Sequence, residues 1–156
     1  MKIFVFSIML CCFGYLYPQT VAKLSQTGLE KFDYKELNVA VYLEGSSLTG
    51  LSKDRILTRA ELRLRQTDIK PLQRPSAYPQ LAVEVVVAGS AFSVEIAFVR
   101  WTSYKVGENT YEVLSDTWSR KNTGSHADKA SFVMDSIDQL LDRFLNDYLA
   151  SNQEIE

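Results

Sequence analysis

Cysteine is almost missing from this chain. Cys11 and Cys12 are the only two, adjacent in the first apolar run. The rest of the sequence therefore has no disulfide framework, thiol nucleophile or cysteine metal site. Histidine is rarer still: His126 alone cannot make a metal set, and no metal or cofactor is expected. The four prolines are Pro18, Pro71, Pro75 and Pro79, so nothing after residue 79 is interrupted by proline. The seven glycines form no phosphate-cradling motif. Neither charge sign dominates. Lys and Arg number 17 against 19 Asp and Glu, a formal net charge of −2, which gives no basis for a nucleic-acid partner.

The one long apolar run stands at the start. Met1-Lys2 is a short basic lead and "IFVFSIMLCCFGYLY" is an apolar segment that Pro18 ends. "TVA", Thr20 to Ala22, offers small residues for cleavage. The run is shorter than the roughly 20 residues a membrane span needs. Residues 1–22 are expected to be a cleaved signal peptide, the competing reading being an uncleaved anchor; cleavage gives a periplasmic or secreted protein with no transmembrane anchor. Cys11 follows Met9-Leu10, a poor lipid-attachment context. Losing Lys2 takes the net charge to about −3. The remaining ~134 residues, at one-domain length, bury roughly two-thirds of their surface on folding and need no disulfide.

Residues 23–36 form a polar N-terminal arm without sustained period, followed by a single domain over 37–150 and a tail at 151–156. "NVAVYLEG" alternates, with Val39, Val41 and Leu43 on one side, and reads as a strand. In "GLSKDRILTRAELRLRQTD", Ser52 is placed to cap a helix whose Ile56, Ala60 and Leu64 recur every four residues beside Leu57. "KPLQRPSAYPQ" is expected to be a surface connection. Gly89-Ser90 separates two alternating runs and suits a type II′ hairpin turn. Its register sets Val87 on Phe92, Val85 on Val94, Val83 on Ile96 and Leu81 on Phe98. For the next turn, "VGEN", a three-residue loop from Gly107 to Asn109 sets Trp118 on Phe98, Leu114 on Thr102 and Asp116 on Arg100, with a fourth strand over 111–119. A closing helix over 125–150 carries Ala130, Val133, Ile137, Leu140, Leu141, Phe144 and Tyr148 as its stripe. At that length it overhangs the strands. The order β-α-β-β-β-α predicts an α+β fold: a two-layer sandwich with a mixed sheet of about four strands and both helices on one face. The first strand and helix cross over into a parallel neighbour, and a meander follows.

Three stretches carry a resemblance: "LEGSSLTGLSKDRILTRAELRLRQTDI", "TWSRKNTGS" and "LDRFLNDYLASN". Together they resemble a family of small exported bacterial proteins of unassigned function. That family has a strand-loop-helix with "LR" repeats, a Trp…Gly…Gly segment and a closing helix with "FLN-YL". The chain departs from the pattern at Asp68, where relatives often have glycine. The resemblance implies a bacterial envelope protein and no known chemistry.

Several groups of residues invite a function. In and just before "DTWSRKNTGSH", Ser115 or Ser119 with His126 and Asp116 have the residue types of a nucleophile system, but no nucleophile elbow is present. "SHAD", Ser125 to Asp128, is instead a capping-box pattern opening the last helix, with His126 exposed. Arg120, Lys121, Gly124 and Ser125 would then flank a helix N-terminus, a candidate anion site. Glu84 and Glu95 face each other across the hairpin, a like-charge pair calling for a cation, a partner or free solvent. About 5 Å apart, they also match the spacing of a retaining glycosidase, though a flat sheet has no pocket. With Tyr42, Ala82, Val86, Ala97, Val99 and Trp101 they make the second sheet face a candidate partner surface, unless Phe32 and Tyr34 of the arm cover it. Arg55, Arg59 and Arg63 stack at every fourth residue, a basic stripe for an anionic partner such as the aspartates of the last helix in another copy. These readings favour a non-enzymatic exported interaction domain, through envelope-protein binding or self-association. A binder of a small or anionic ligand, at the Arg120/Lys121 turn or against the aromatic face, comes second, and a Glu84/Glu95 hydrolase third.

Overall fold

A computed structural model describes residues 28–29, 35–45, 47–74 and 78–152. The expected signal segment, most of the arm with Phe32 and Tyr34, and the end of the tail lie outside the described residues. Seven elements follow in order: β1 (Glu36–Gly45), α1 (Lys53–Arg65), β2 (Lys70–Leu72), β3 (Gln80–Ala88), β4 (Ala91–Val106), β5 (Asn109–Ser125) and α2 (Ala130–Ser151). The architecture is α+β. One mixed sheet has the strand order β2-β1-β3-β4-β5. β1 is parallel to β2 and to β3, and β3-β4-β5 is the antiparallel meander.

The sheet has five strands where about four were expected. The extra strand is β2, inside the stretch read as a surface connection. It is three residues long, too short to show alternation, and sits at the sheet edge, where the missing N–H of Pro71 is tolerated.

One apolar cluster joins the inward residues of β1, β3 and β4 to both helices. Ile56, Ala60 and Leu64 of α1 and Val133, Ile137, Leu140, Leu141 and Phe144 of α2 are fully buried in it. α1 packs on β1 and β2, α2 packs on β4 and β5, and the helices touch each other. The expected hairpin register holds at every pair from Leu81↔Phe98 to Val87↔Phe92. Gly89 has φ 58 at the first central position, as a type II′ turn requires.

Both ends of α1 are built from local chemistry. Ser52 is extended (φ −145, ψ 156), and its side chain accepts from the Arg55 N–H at 3.2 Å. At the other end Ile69 N–H returns to the Leu64 carbonyl at 3.1 Å and Asp68 N–H to that of Arg65 at 3.3 Å. Buried Ile69 and Leu64 complete a Schellman stop. Asp68 holds the left-handed position of that stop, φ 60.

The β4–β5 hairpin departs from expectation. Its turn has two residues, with Val106 on Asn109, not three. Leu114 therefore opposes Trp101 rather than Thr102, and Asp116 opposes Val99 rather than Arg100, which faces Ser115. A β-bulge between Phe98 and Val99 then inserts Thr117 and returns Trp118 to Phe98, the pair expected from the burial of Trp118. Gly28 backs this bulge with φ 72. A Cβ there would lie 1.8 Å from the Thr117 carbonyl oxygen, so only glycine fits. β5 has 17 residues, far beyond the expected 111–119.

The capping box does not form. Ser125 remains in the sheet opposite Ala91, and its hydroxyl donates to the Ser90 carbonyl at 3.0 Å. α2 starts five residues later, after Lys129, with no side-chain cap. Between them Ala127 and Asp128 have φ 44 and 59. His126, expected exposed, is 3% exposed. Its Nε2 donates to the Gly89 carbonyl at 2.8 Å, and its Nδ1 accepts the Asp128 N–H at 3.0 Å. Only the neutral Nε2–H tautomer satisfies both bonds.

Candidate interaction surface

The strand registers align a row across the second sheet face: Tyr42, Glu84, Glu95 and Lys121. Glu84 and Glu95 are direct partners, as expected. Lys121 Nζ lies 3.4 Å from the Glu95 carboxylate, so one charge of the pair is compensated from β5 while Glu84 stays exposed. Tyr42 is half exposed and Trp101 is 59% exposed. Val86 and Val99 are partly covered by their neighbours. Tyr78 stands edge-on to Trp101 with ring centroids 6.2 Å apart.

Beyond Val99 the sheet narrows to two strands. β3 ends its pairing at Gln80↔Val99, whereas β4 and β5 pair on to Val106↔Asn109. Residues 100–115 therefore form a two-stranded ribbon beyond the core, with no core residue between Phe98 and Trp118. It was the helix that was expected to overhang the strands. Instead 22 residues of α2 span about 33 Å and β5 about 56 Å. Trp101, Tyr104, Val106, Tyr111, Val113 and Leu114 on this ribbon are all at least 36% exposed. Tyr104 and Tyr111 stack across it at 5.5 Å. Comparison of the chain with models of known protein families and with curated proteins returns no match.

The basic helix is answered within the chain. Arg59 lies 3.6 Å from Asp138, and Arg63 lies 3.7 Å from Asp138 and 3.4 Å from Asp142. Arg55 donates to the Gly50 carbonyl. The aspartates expected to meet this stripe from a neighbouring copy meet it from α2 of the same molecule. Glu61 pairs with Arg65 at 3.1 Å, as its spacing suggests, and also accepts from Gln73, tying α1 to the segment after β2.

Arg120, Lys121, Gly124 and Ser125 lie within β5, not at a helix N-terminus. The Arg120 guanidinium lies 5.5 Å from the Trp118 ring centre and 4.0 Å from Asp147, which also accepts from Trp118 Nε1 at 2.9 Å. Gly124 leaves room for the Phe92 ring, 3.0 Å from where a Cβ would sit. The side chains drawn together as an anion site thus serve the sheet and its contact with α2. Both His126 nitrogens are held by backbone groups, and the Ser115 hydroxyl bonds that of Thr102 at 2.8 Å. Ser115 and His126 are therefore not a nucleophile and its base.

Among the described residues no group of His, Asp and Glu is arranged to hold a metal. No described helix is long and apolar enough to cross a membrane. The ribbon was not expected from the residues, although "YKV" and "YEV" on the two sides of the turn alternate apolar and polar residues beyond the last core position.

Proposed function

We propose that the protein is a non-enzymatic interaction domain that docks a protein partner on its open sheet face and the β4–β5 ribbon. One observation carries this reading. Six of the ten exposed large apolar side chains among the described residues lie on the ribbon, which adds nothing to the core. Apolar patches of this kind mark partner surfaces, and exposed Trp and Tyr supply the anchors that dominate interface energies.

The layer arrangement agrees with this role. We read the fold as a two-layer sandwich in which both helices cover one sheet face. The shared core cluster and the Arg59, Arg63 and Asp138 contacts between the helices support it. The other face, with Tyr42, Glu84, Val86, Glu95, Val99 and Trp101, is left for the partner. The apolar N-terminal run and the resemblance to small exported bacterial proteins support an envelope location, periplasmic or secreted.

Site-specific photocrosslinking in cells tests the reading, with the reactive residue at Trp101, at Glu95 and, as a control, at Lys53 on α1. Adducts confined to Trp101 and Glu95 are expected. A tryptophan anchor is worth about 2–4 kcal/mol, so Trp101→Ala should cut the Glu95 adduct at least ~30-fold. Equal adducts at Lys53, or none at Trp101 and Glu95, would overturn it.

A further inference from the structure

We infer that the partner of the ribbon is a second copy of this chain, joined edge to edge along β4 about a two-fold axis at Ser103. The inference rests on the reading of the ribbon as a docking surface.

A two-stranded ribbon alone is marginally stable in water. This one exposes apolar side chains on both faces: Tyr104, Tyr111 and Val113 on one, Trp101 and Leu114 on the other. A third and fourth strand would complete it. The turn geometry fixes which edge can accept them. Val106 and Asn109 flank a two-residue turn and form a hydrogen-bonded pair, so by alternation Val106, Tyr104 and Thr102 bond to β5. Trp101, Ser103 and Lys105 turn their N–H and C=O groups the other way. Among the described residues no strand pairs with β4 there, because β3 stops opposite Val99.

The two edges of the ribbon differ in how they meet a copy of themselves. On the β5 edge, two-fold registers centred on Thr110, Glu112 or Leu114 bring carboxylates face to face: Glu108 on Glu112, Glu112 on Glu112, or Glu112 on Asp116. Like charges directly opposed oppose pairing. On the β4 edge the register about Ser103 is self-complementary. Trp101 faces Lys105 of the second copy, a cation over an indole, and Thr102 faces Tyr104. Tyr111, Tyr104 and the second copy's Thr102 and Val113 then form one continuous stripe. Tyr78, edge-on to Trp101, marks the base of the pairing.

The test uses the chain with Cys11→Ser and Cys12→Ser. At the two-fold axis the Ser103 Cα atoms of the two copies lie about 5.5 Å apart, within disulfide range. Ser103→Cys should oxidise to a covalent dimer. Glu112→Cys, about three strand spacings from its copy, should not. Light scattering of the unoxidised protein should give twice the chain mass, and Ser103→Pro should halve it. That proline removes only an outward N–H and leaves the β4–β5 ladder intact. A monomer at high micromolar concentration overturns the inference, as does equal crosslinking at Glu112→Cys or a Ser103→Pro dimer. A monomer whose Trp101 still crosslinks to a different protein sinks the second-copy partner and leaves the docking surface standing. A monomer with no Trp101 adduct sinks both.

Discussion

His126 shows how much one side chain can settle. It closes the far end of the molecule by bonding the Gly89 carbonyl on one side and the Asp128 N–H on the other, with its own ring 3% exposed between two exposed residues. Truncation would remove both bonds, each worth about 0.5–1.5 kcal/mol. His126→Ala should lower the denaturant midpoint and speed exchange of the Asp128 amide. An unchanged midpoint would show that water replaces the ring without cost. Asp68 offers a prediction of opposite sign. A non-glycine residue in left-handed geometry carries about 1 kcal/mol of strain, which glycine relieves while adding freedom to the unfolded chain. Asp68→Gly should be neutral to slightly stabilising and Asp68→Ala destabilising, read from melting temperatures. At the other edge the Lys70 ammonium, 2.7 Å from Glu36, holds that carboxyl below the usual carboxylate range, chiefly through its hydrogen bond. This contribution is present above the ordinary carboxylate pKa and fades as pH falls through the lowered one. Lys70→Met should return the Glu36 titration, followed by NMR, toward the ordinary value.

At the scale of elements, capping separates the helices. α1 has a side-chain N-cap and α2 has none. Ser52→Ala should cost about 1 kcal/mol in chemical denaturation, whereas Ser125→Ala, with a hydroxyl that only bonds a turn carbonyl, should cost less. A larger loss at Ser125 would show that its bond to the Ser90 carbonyl holds the β3–β4 turn more strongly than Ser52 holds α1. The same contrast shows what was legible in the sequence. Alternation and four-residue spacing are short-range signals. They were enough for β1, α1, the β3–β4 register and the buried stripe of α2, because each of these buries one face. Features decided by competition between distant groups were not legible. Ser125 suits a cap, but pairing with Ala91 claims it first. Arg59 and Arg63 read as a free basic stripe because nothing local reveals that Asp138 lies across from them. Glu84 and Glu95 were legible as a pair because hairpin register is local, but Lys121 beside them was not, because the fourth strand was expected to end at residue 119 and β5 runs on to Ser125.

For the molecule as a whole, the core and the exposed apolar side chains of the ribbon occupy separate parts of one sheet. The core ends at Phe98 and Trp118, and residues 100–115 lie beyond it. Replacing residues 101–114 with a two-residue Asn-Gly turn between Arg100 and Ser115, a hydrogen-bonded pair by the same alternation, should leave the fold intact, with a melting shift of no more than a few degrees. Loss of cooperative melting would show instead that the ribbon supports the core. The bulge at Thr117 adds a rule about chain length. Side chains alternate with period two, so one inserted residue reverses the facing of everything beyond it on that strand. The sequence has used that reversal once, to set Trp118 inward while the outer strand keeps its own pairing. Past Thr117, the ribbon can therefore grow or shrink only by matched residues, one from each strand. A lone insertion or deletion in residues 100–115 would turn half the exposed side chains of the ribbon to the opposite side while leaving the core untouched.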